Sequence, residues 1–289
     1  MIFLKAEFKN DNVYITGVQD FDLEQTFMCG QCFRWNKTSE NSYTGVACGK
    51  VLKISLIDDN IVLHGTTPND YHNIWEKYFD LPRNYAEIKK ALAVDEVMEK
   101  AIGAGSGIRI LKQDIWETII SFIISASNNI PRIKKIITAL CENFGEPLTD
   151  GFFSFPSPEK LRGITIQDLA PIRAGFRAKY IVDAVNKINS GEVNIFSLDS
   201  LDTESAKKEL LKINGVGNKV ADCILLFALG RMEVFPVDVW INNTMCKLYP
   251  DRCTTILSVR TAGREIFGNY CGIAQQYLFY YARENGGNV

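Results

Sequence analysis

At 289 residues, with 46% hydrophobic and 23% charged side chains, the chain has the composition of an ordinary globular protein and is long enough for one large or two medium domains. A formal net charge of −2 excludes a strongly basic protein; residues 1–110 carry 12 Lys+Arg against 15 Asp+Glu and residues 111–289 carry 20 against 19, so any polyanion footprint has to be a local patch on the second half. No apolar run approaches the roughly 18 residues of a membrane span, and the opening MIFLKAEFKN lacks a signal-peptide pattern, so a cytoplasmic chain with no membrane partner is expected.

The first part reads as strands. VLKISLIDDNIVLHG (51–65) holds two β-rich runs joined by Asp58-Asp59-Asn60, a hairpin signal. QCFRW and SYTGVAC are further candidate strands. Cys29 and Cys32 in CGQC have the spacing of half a zinc site. However, His64 and His72 lie far along the chain and no second pair has ligand spacing, so the preferred assignment is two small loop or strand residues, with no metal. From NDYHNIWEKYFDL onward the period becomes helical. QDIWETIISFIISAS (113–127) is apolar nearly all round and predicts a buried helix. NNIPRIKKIITALCENFG follows, with Asn129 as N-cap, Pro131 in the first turn and Gly145 as the stop. AKYIVDAVNKINSG ends on another glycine, TESAKKELLKI is amphipathic, and GIAQQYLFYYARE is the last helix before a frayed NGGNV tail. The fold class is therefore α+β, with an antiparallel sheet domain over 1–105 and an all-helical region over 106–289.

Within the helical region, TESAKKELLKI, the turn NGVG and NKVADCILLFALG form a helix–hairpin–helix at about 204–230. Gly215 and Gly217 leave backbone amides free to face one phosphate, Val216 anchors the turn, and the second helix adds its positive N-terminus. Such contacts hold a nucleic acid without reading its bases. The turn could also hold a monovalent or divalent ion, and an ordinary tight helical turn is the plainer alternative. Lys219 stands one step into the second helix. An alkyl amine of pKa about 10.4 is almost wholly protonated at neutral pH, and both a helix N-terminus and burial disfavour an ammonium, so this is a place for a nucleophile as much as for a phosphate clamp. Downstream, VFPVDVW puts Asp238 at the head of the run VWINNTMCKLY. There it caps a helix and could also face a cleft, handling protons or stabilising positive charge on a sugar.

GVGNKVADCILLFAL followed by VFPVDVW resembles the signature of the helix–hairpin–helix glycosylases (HhH-GPD). The likeness to the eukaryotic type of 8-oxoguanine DNA glycosylase runs nearly end to end, through GQCFRW, SFIISASNNIPRI, AGFRAKYI and GIAQQYLF. The resemblance implies a TBP-like N-terminal sheet domain before the HhH-GPD region, duplex DNA containing 8-oxoguanine as partner, and a combined glycosylase and AP lyase. Lys219 would then attack the deoxyribose C1′ and form a Schiff base, with Asp238 as electrostatic partner. It further implies a base pocket in which the Gly30 carbonyl faces N7 of the purine, Cys223 and Phe279 sandwich it, and Gln275 binds its Watson–Crick edge. Around the orphan base it implies Arg132 and Arg177 as grips and Phe176 as wedge. Ser127 stands where the family has a gap-filling Asn and is too short for that task, which Asn128 could take over. Trp240 replaces a His expected to touch phosphate; its indole can donate one hydrogen bond but carries no charge.

Two rival assignments remain. Another HhH specificity, for oxidised pyrimidines or adenine mismatches, often comes with a four-Cys iron–sulfur cluster. Cys246 and Cys253 have the right first gap, but Cys271 is the only later cysteine, so no cluster and no required cofactor are expected. A non-enzymatic DNA clamp explains Gly215 and Gly217 but neither Asp238 nor GIAQQYLF. A monomer, nucleoid-associated if prokaryotic, suits a protein that scans duplex DNA.

Overall fold

The computed structural model describes residues 4–58 and 60–286; Asp59 of the anticipated hairpin and the end of the NGGNV tail lie outside the described residues. Six strands form one antiparallel sheet: β1 (Lys5–Lys9), β2 (Asn12–Thr16), β3 (Trp35–Ser39), β4 (Ser42–Ala47), β5 (Lys50–Ile57) and β6 (Asn60–His64), in the order β1-β2-β6-β5-β4-β3. The β5–β6 hairpin and β4 match the sequence reading. QCFRW does not, since only its Trp35 is in a strand. Gln31 is instead buried with its side chain bonded into the protein, and Arg34 reaches Glu117 and the Phe153 carbonyl. The β1–β2 hairpin, turning on Asn10 and Asp11 with φ of 51° and 57°, was not anticipated; left-handed backbone at two successive short polar residues suits such a turn.

The helices are α1 (Leu23–Met28), α2 (Pro68–Asp70), α3 (Glu76–Tyr78), α4 (Tyr85–Leu92), α5 (Glu96–Ala104), α6 (Ile115–Ser125), α7 (Ile130–Phe144), α8 (Ala178–Asn189), α9 (Thr203–Leu210), α10 (Asn218–Phe227), α11 (Val239–Leu248), α12 (Ile256–Phe267) and α13 (Cys271–Glu284), with a π-helical turn between α2 and α3. α6, α7, α9, α11 and α12 begin on side-chain caps, Asp114, Asn129, Asp202, Asp238 and Thr255, each accepting from an N3 amide. α10 begins on Gly217 with no side-chain cap. Its first amides are therefore open.

Two apolar cores result. One face of the sheet (Val13, Ile15, Leu52, Ile54) packs on Phe27, Trp75 and Phe79, with Phe27 stacked on Trp35 at 4.3 Å. The larger core surrounds α6, whose Ile119, Ile120, Ile123 and Ile124 are fully buried. Tyr85, Ile88, Leu92, Met98 and Ala101 of α4 and α5 join this second core, so the helical body begins before residue 105.

Candidate active site

The hairpin between α9 and α10 is built around its glycines for two different reasons. Gly215 has φ +87°, and a Cβ there would lie 2.6 Å from Tyr180 Cγ, so turn and packing both demand glycine. Gly217 has φ −89° and open space where its Cβ would point, leaving room for a phosphate at the uncapped end of α10. Val216 is buried and its amide donates to the Ile213 carbonyl at 3.0 Å. It anchors the turn, and its amide is engaged within the hairpin. The hairpin is pinned to one face of α8: Asp183 accepts from Asn214 N and Nδ2 at 2.8 and 2.7 Å, and Lys187 donates to the Lys212 carbonyl at 2.6 Å. Beneath α10, Asp222 is 1% exposed and bridges Lys207 at 2.6 Å and Arg260 at 3.0 Å.

Lys219 and Asp238, 19 positions apart in sequence, line the same two adjoining cavities. The inner one is walled by Gly30, Phe122, Cys223, Gln275, Gln276 and Phe279. The outer one is a groove that includes Ser127, Asn128, Trp240 and Ile256. The amine and the carboxylate thus stand where groove and pocket meet. Lys219 Nζ lies 5.1 Å from the centre of the Phe122 ring, and Asp238 Oδ1 is fixed by the Ile241 amide at 2.8 Å. Burial pushes the Cys223 thiol up to about 11; the Lys219 amine draws it down, while the Asp222 and Asp238 carboxylates push it up. Lys219 and Asp238 therefore both lie within electrostatic reach of Cys223.

The inner pocket gathers the expected base-binding residues. Gln275 is 5% exposed and its Oε1 has no hydrogen-bond partner; an acceptor left unpaired in a buried wall suits a ligand that brings a donor. Phe279, one turn further along α13, lies over Gly30, with its Cε1 3.4 Å from where a Gly30 Cβ would stand. Gly30 has φ +87°. Phe122 and Gln276 also line the pocket and were not anticipated. Phe122 sits in a helix apolar all round, and the QQ pair gave no sign that both members face the site.

The residues expected around the orphan base differ in their surroundings. Phe176 is 56% exposed, as a wedge requires, and Arg132 is exposed in the first turn of α7. Trp240 is also exposed, on the groove wall. Arg177 is not a free grip. It is buried, with Nε donating to the Ala126 carbonyl at 2.9 Å, Nη2 to the carbonyls of Ala126 and Ser127, and Nη1 to that of Ala174. Burial and then the neighbouring Arg132 hold its guanidinium below the ordinary value. In this state Arg177 shapes the 126–128 loop. Asn128 is likewise committed, donating to the Ile124 carbonyl at 3.1 Å and accepting from the Asn129 amide. Ser127 is exposed with φ +50°, a left-handed backbone that favours Asn over Ser.

Cys29 and Cys32 enter different cores, Cys271 donates to the Met232 carbonyl, and among the described residues no three His, Cys, Asp or Glu side chains are grouped as metal ligands. Among the same residues no helix is long and apolar enough to cross a membrane.

The family model for the N-terminal domain of 8-oxoguanine DNA glycosylase matches residues 13–119, and that for the HhH-GPD superfamily base excision DNA repair proteins matches residues 120–262. The chain is similar to a probable N-glycosylase/DNA lyase of Methanothermobacter thermautotrophicus, 30% identical over 307 aligned residues covering 93% of this chain and 96% of the relative. It is 31% identical to N-glycosylase/DNA lyase OGG1 of Arabidopsis thaliana, with 90% of this chain and 77% of the relative covered. Among solved structures, the Clostridium acetobutylicum 8-oxoguanine glycosylase/lyase in complex with double-stranded DNA containing cytosine opposite 8-oxoguanine aligns with a TM-score of 0.95 at 43% identity, covering 99% of this chain and 100% of the other.

Proposed function

The chain belongs to the 8-oxoguanine DNA glycosylase family of the HhH-GPD superfamily, and from that membership we propose that it excises 8-oxoguanine from duplex DNA and then cleaves the strand at the abasic site. The observation that carries the proposal is the placement of one amine and one carboxylate at the junction of an open groove and a pocket with an unpaired amide oxygen. A base inside a duplex is out of reach, so the nucleotide must be flipped at a cost of a few kcal/mol. Exposed Phe176 and the 126–128 loop stand ready to fill the gap that flipping leaves, and the uncapped end of α10 to hold a phosphate beside it.

In the pocket, Gln275 Oε1 accepts from the N–H groups of the purine's Watson–Crick edge, and Cys223 and Phe279 flank its faces. The Gly30 carbonyl accepts from N7–H of the oxidised base. Guanine offers only a lone pair there, and the unpaired carbonyl then costs about 1–3 kcal/mol. Lys219 Nζ, in its uncharged form, attacks C1′. The C1′–N9 bond breaks and its electron pair leaves with the base, while Asp238 stabilises the positive charge that develops on the sugar. The proton shed by the attacking amine goes to the departing base. The resulting N,O-acetal opens by breaking C1′–O4′, with O4′ taking up a proton, to give a protonated Schiff base. Loss of a C2′ proton then expels the 3′-phosphate, and hydrolysis frees the lysine. Amine and carboxylate supply the bond-making and the charge stabilisation, so the scheme calls for no cofactor. A monomer in the cytoplasm is the simplest setting. A pure DNA clamp would have no use for a pocket walled by Gln275 with an unpaired Oε1.

Single-turnover assays on duplexes bearing 8-oxoguanine opposite each of the four bases test the proposal. The wild-type protein is expected to release the lesion and nick the strand, and Lys219→Gln to bind the duplex without releasing it. Undiminished release by Lys219→Gln would remove the lysine from the chemistry.

A further inference from the structure

The carbonyl that would read N7 of the lesion lies in a loop, and three successive peptide groups reveal what fixes it. The Cys29 carbonyl accepts from Gln276 Nε2 at 2.8 Å, and the Gln31 carbonyl accepts from Gln113 Nε2 at 2.7 Å. Between them, the Gly30 carbonyl has no hydrogen-bond partner among the described residues. The Gln31 side chain is itself immobilised, donating to the carbonyls of Thr26 and Arg109 and accepting from the Leu111 amide. On the other side, Arg283 Nη1 holds the Met28 carbonyl at 2.8 Å. Gln276 is 3% exposed and lines the pocket beside Gln275. A buried amide is costly unless its hydrogen bond does something an aliphatic side chain could not.

We propose that Gln276 is a specificity-determining positioning residue, whose side-chain amide holds the Cys29 peptide so that the adjacent Gly30 carbonyl faces the purine N7 and separates oxidised guanine from guanine. The proposal rests on the excision of 8-oxoguanine proposed above. Gln276 touches no reacting atom and acts through the loop. Peptide planarity makes the clamp effective: fixing the Cys29 carbonyl also fixes the Gly30 amide, and the Gln113 bond restrains the peptide that follows. At a glycine with left-handed backbone, which has many other conformations open to it, both restraints are needed.

The test compares release of 8-oxoguanine, release of guanine from the matched duplex, and cleavage of a preformed abasic site. Gln276→Met keeps the length but has no donor. Gln276→Glu keeps the shape and donates only when protonated. Gln276→Met is expected to lower the ratio of 8-oxoguanine to guanine release about tenfold, with abasic-site cleavage unchanged. Gln276→Glu is expected to match it at neutral pH and to regain discrimination as the pH falls, a recovery that a merely structural role would not produce. Wild-type discrimination by Gln276→Met overturns the proposal, as does an equal loss in all three assays. Wild-type protein that releases no 8-oxoguanine overturns the underlying function and the proposal with it, and that result is distinct from a variant discriminating as the wild type does.

Discussion

Replacing Arg177 by Ala separates two roles for this side chain. As a grip on the orphan base it would matter only when DNA is bound. The structure instead ties three of its nitrogens to the carbonyls of Ala126, Ser127 and Ala174 and places its guanidinium 4.4 Å from the Phe176 ring. A hydrogen bond from a charged donor is worth about 1.5–3 kcal/mol. The Ser127 carbonyl lies in an exposed residue and can turn to water, whereas Ala126 is half-buried, so roughly one such bond is lost outright. The cation–π contact adds about 0.5–1 kcal/mol, and the expected destabilisation is about 2–4 kcal/mol. Urea denaturation reads that loss as a lower midpoint with unchanged slope. Because the 126–128 loop would lose its shape for every substrate, excision should fall by a similar factor opposite all four bases. Arg177→Lys should recover only part of the loss, since a single point donor cannot hold two carbonyls in the fork geometry. An unaltered midpoint, with activity lost only opposite cytosine, would refute this reasoning and restore Arg177 as a base reader.

Three further outcomes follow from the same structure. Gly215→Ala should destabilise the fold by about 1–3 kcal/mol through its left-handed backbone and the Tyr180 clash, whereas Gly217→Ala should leave the denaturation midpoint nearly unchanged and weaken DNA binding in a titration. Burial pushes the Glu117 carboxyl up from 4.5 to about 7, against the pull of Arg34; the native state then holds a proton that the unfolded chain has released. Stability should therefore fall by up to about 3 kcal/mol as pH rises through that window and level off above it, and Glu117→Gln should flatten the profile measured by urea denaturation between pH 5 and 8. Ser127→Asn should leave stability within about 0.5 kcal/mol, since Asn suits φ +50°, and should speed single-turnover excision opposite cytosine by giving the gap a longer polar filler; slower excision would count against that role for position 127.

The sequence was most readable where the signal is local. Asn129 and Gly145 bound α7 as anticipated, and Asp238 caps α11, because capping involves residues three positions apart. Lys219, Cys223, Gln275, Phe279 and Gly30, each within a quoted motif, come together on the wall of one pocket. What escaped notice depends on partners far along the chain. Arg177 bonds to Ala126 across 51 residues and Gln276 to Cys29 across 247. Nothing within a short window distinguishes a free arginine from one tied to a distant loop. QCFRW has the composition of a strand, but the buried Gln31 amide draws that segment out of the sheet. Phe122 is chemically identical to its core neighbours, and only packing shows that its ring faces the lysine.

In the proposed reaction Lys219 Nζ is the atom that displaces the damaged base. Borohydride reduction during incubation with an 8-oxoguanine:cytosine duplex, followed by proteolysis and mass mapping of the cross-linked peptide, tests it most directly. One stable adduct is expected, located on Lys219 and absent from Lys219→Gln. An adduct mapped to any other amine, or lesion release with none trapped, would contradict it.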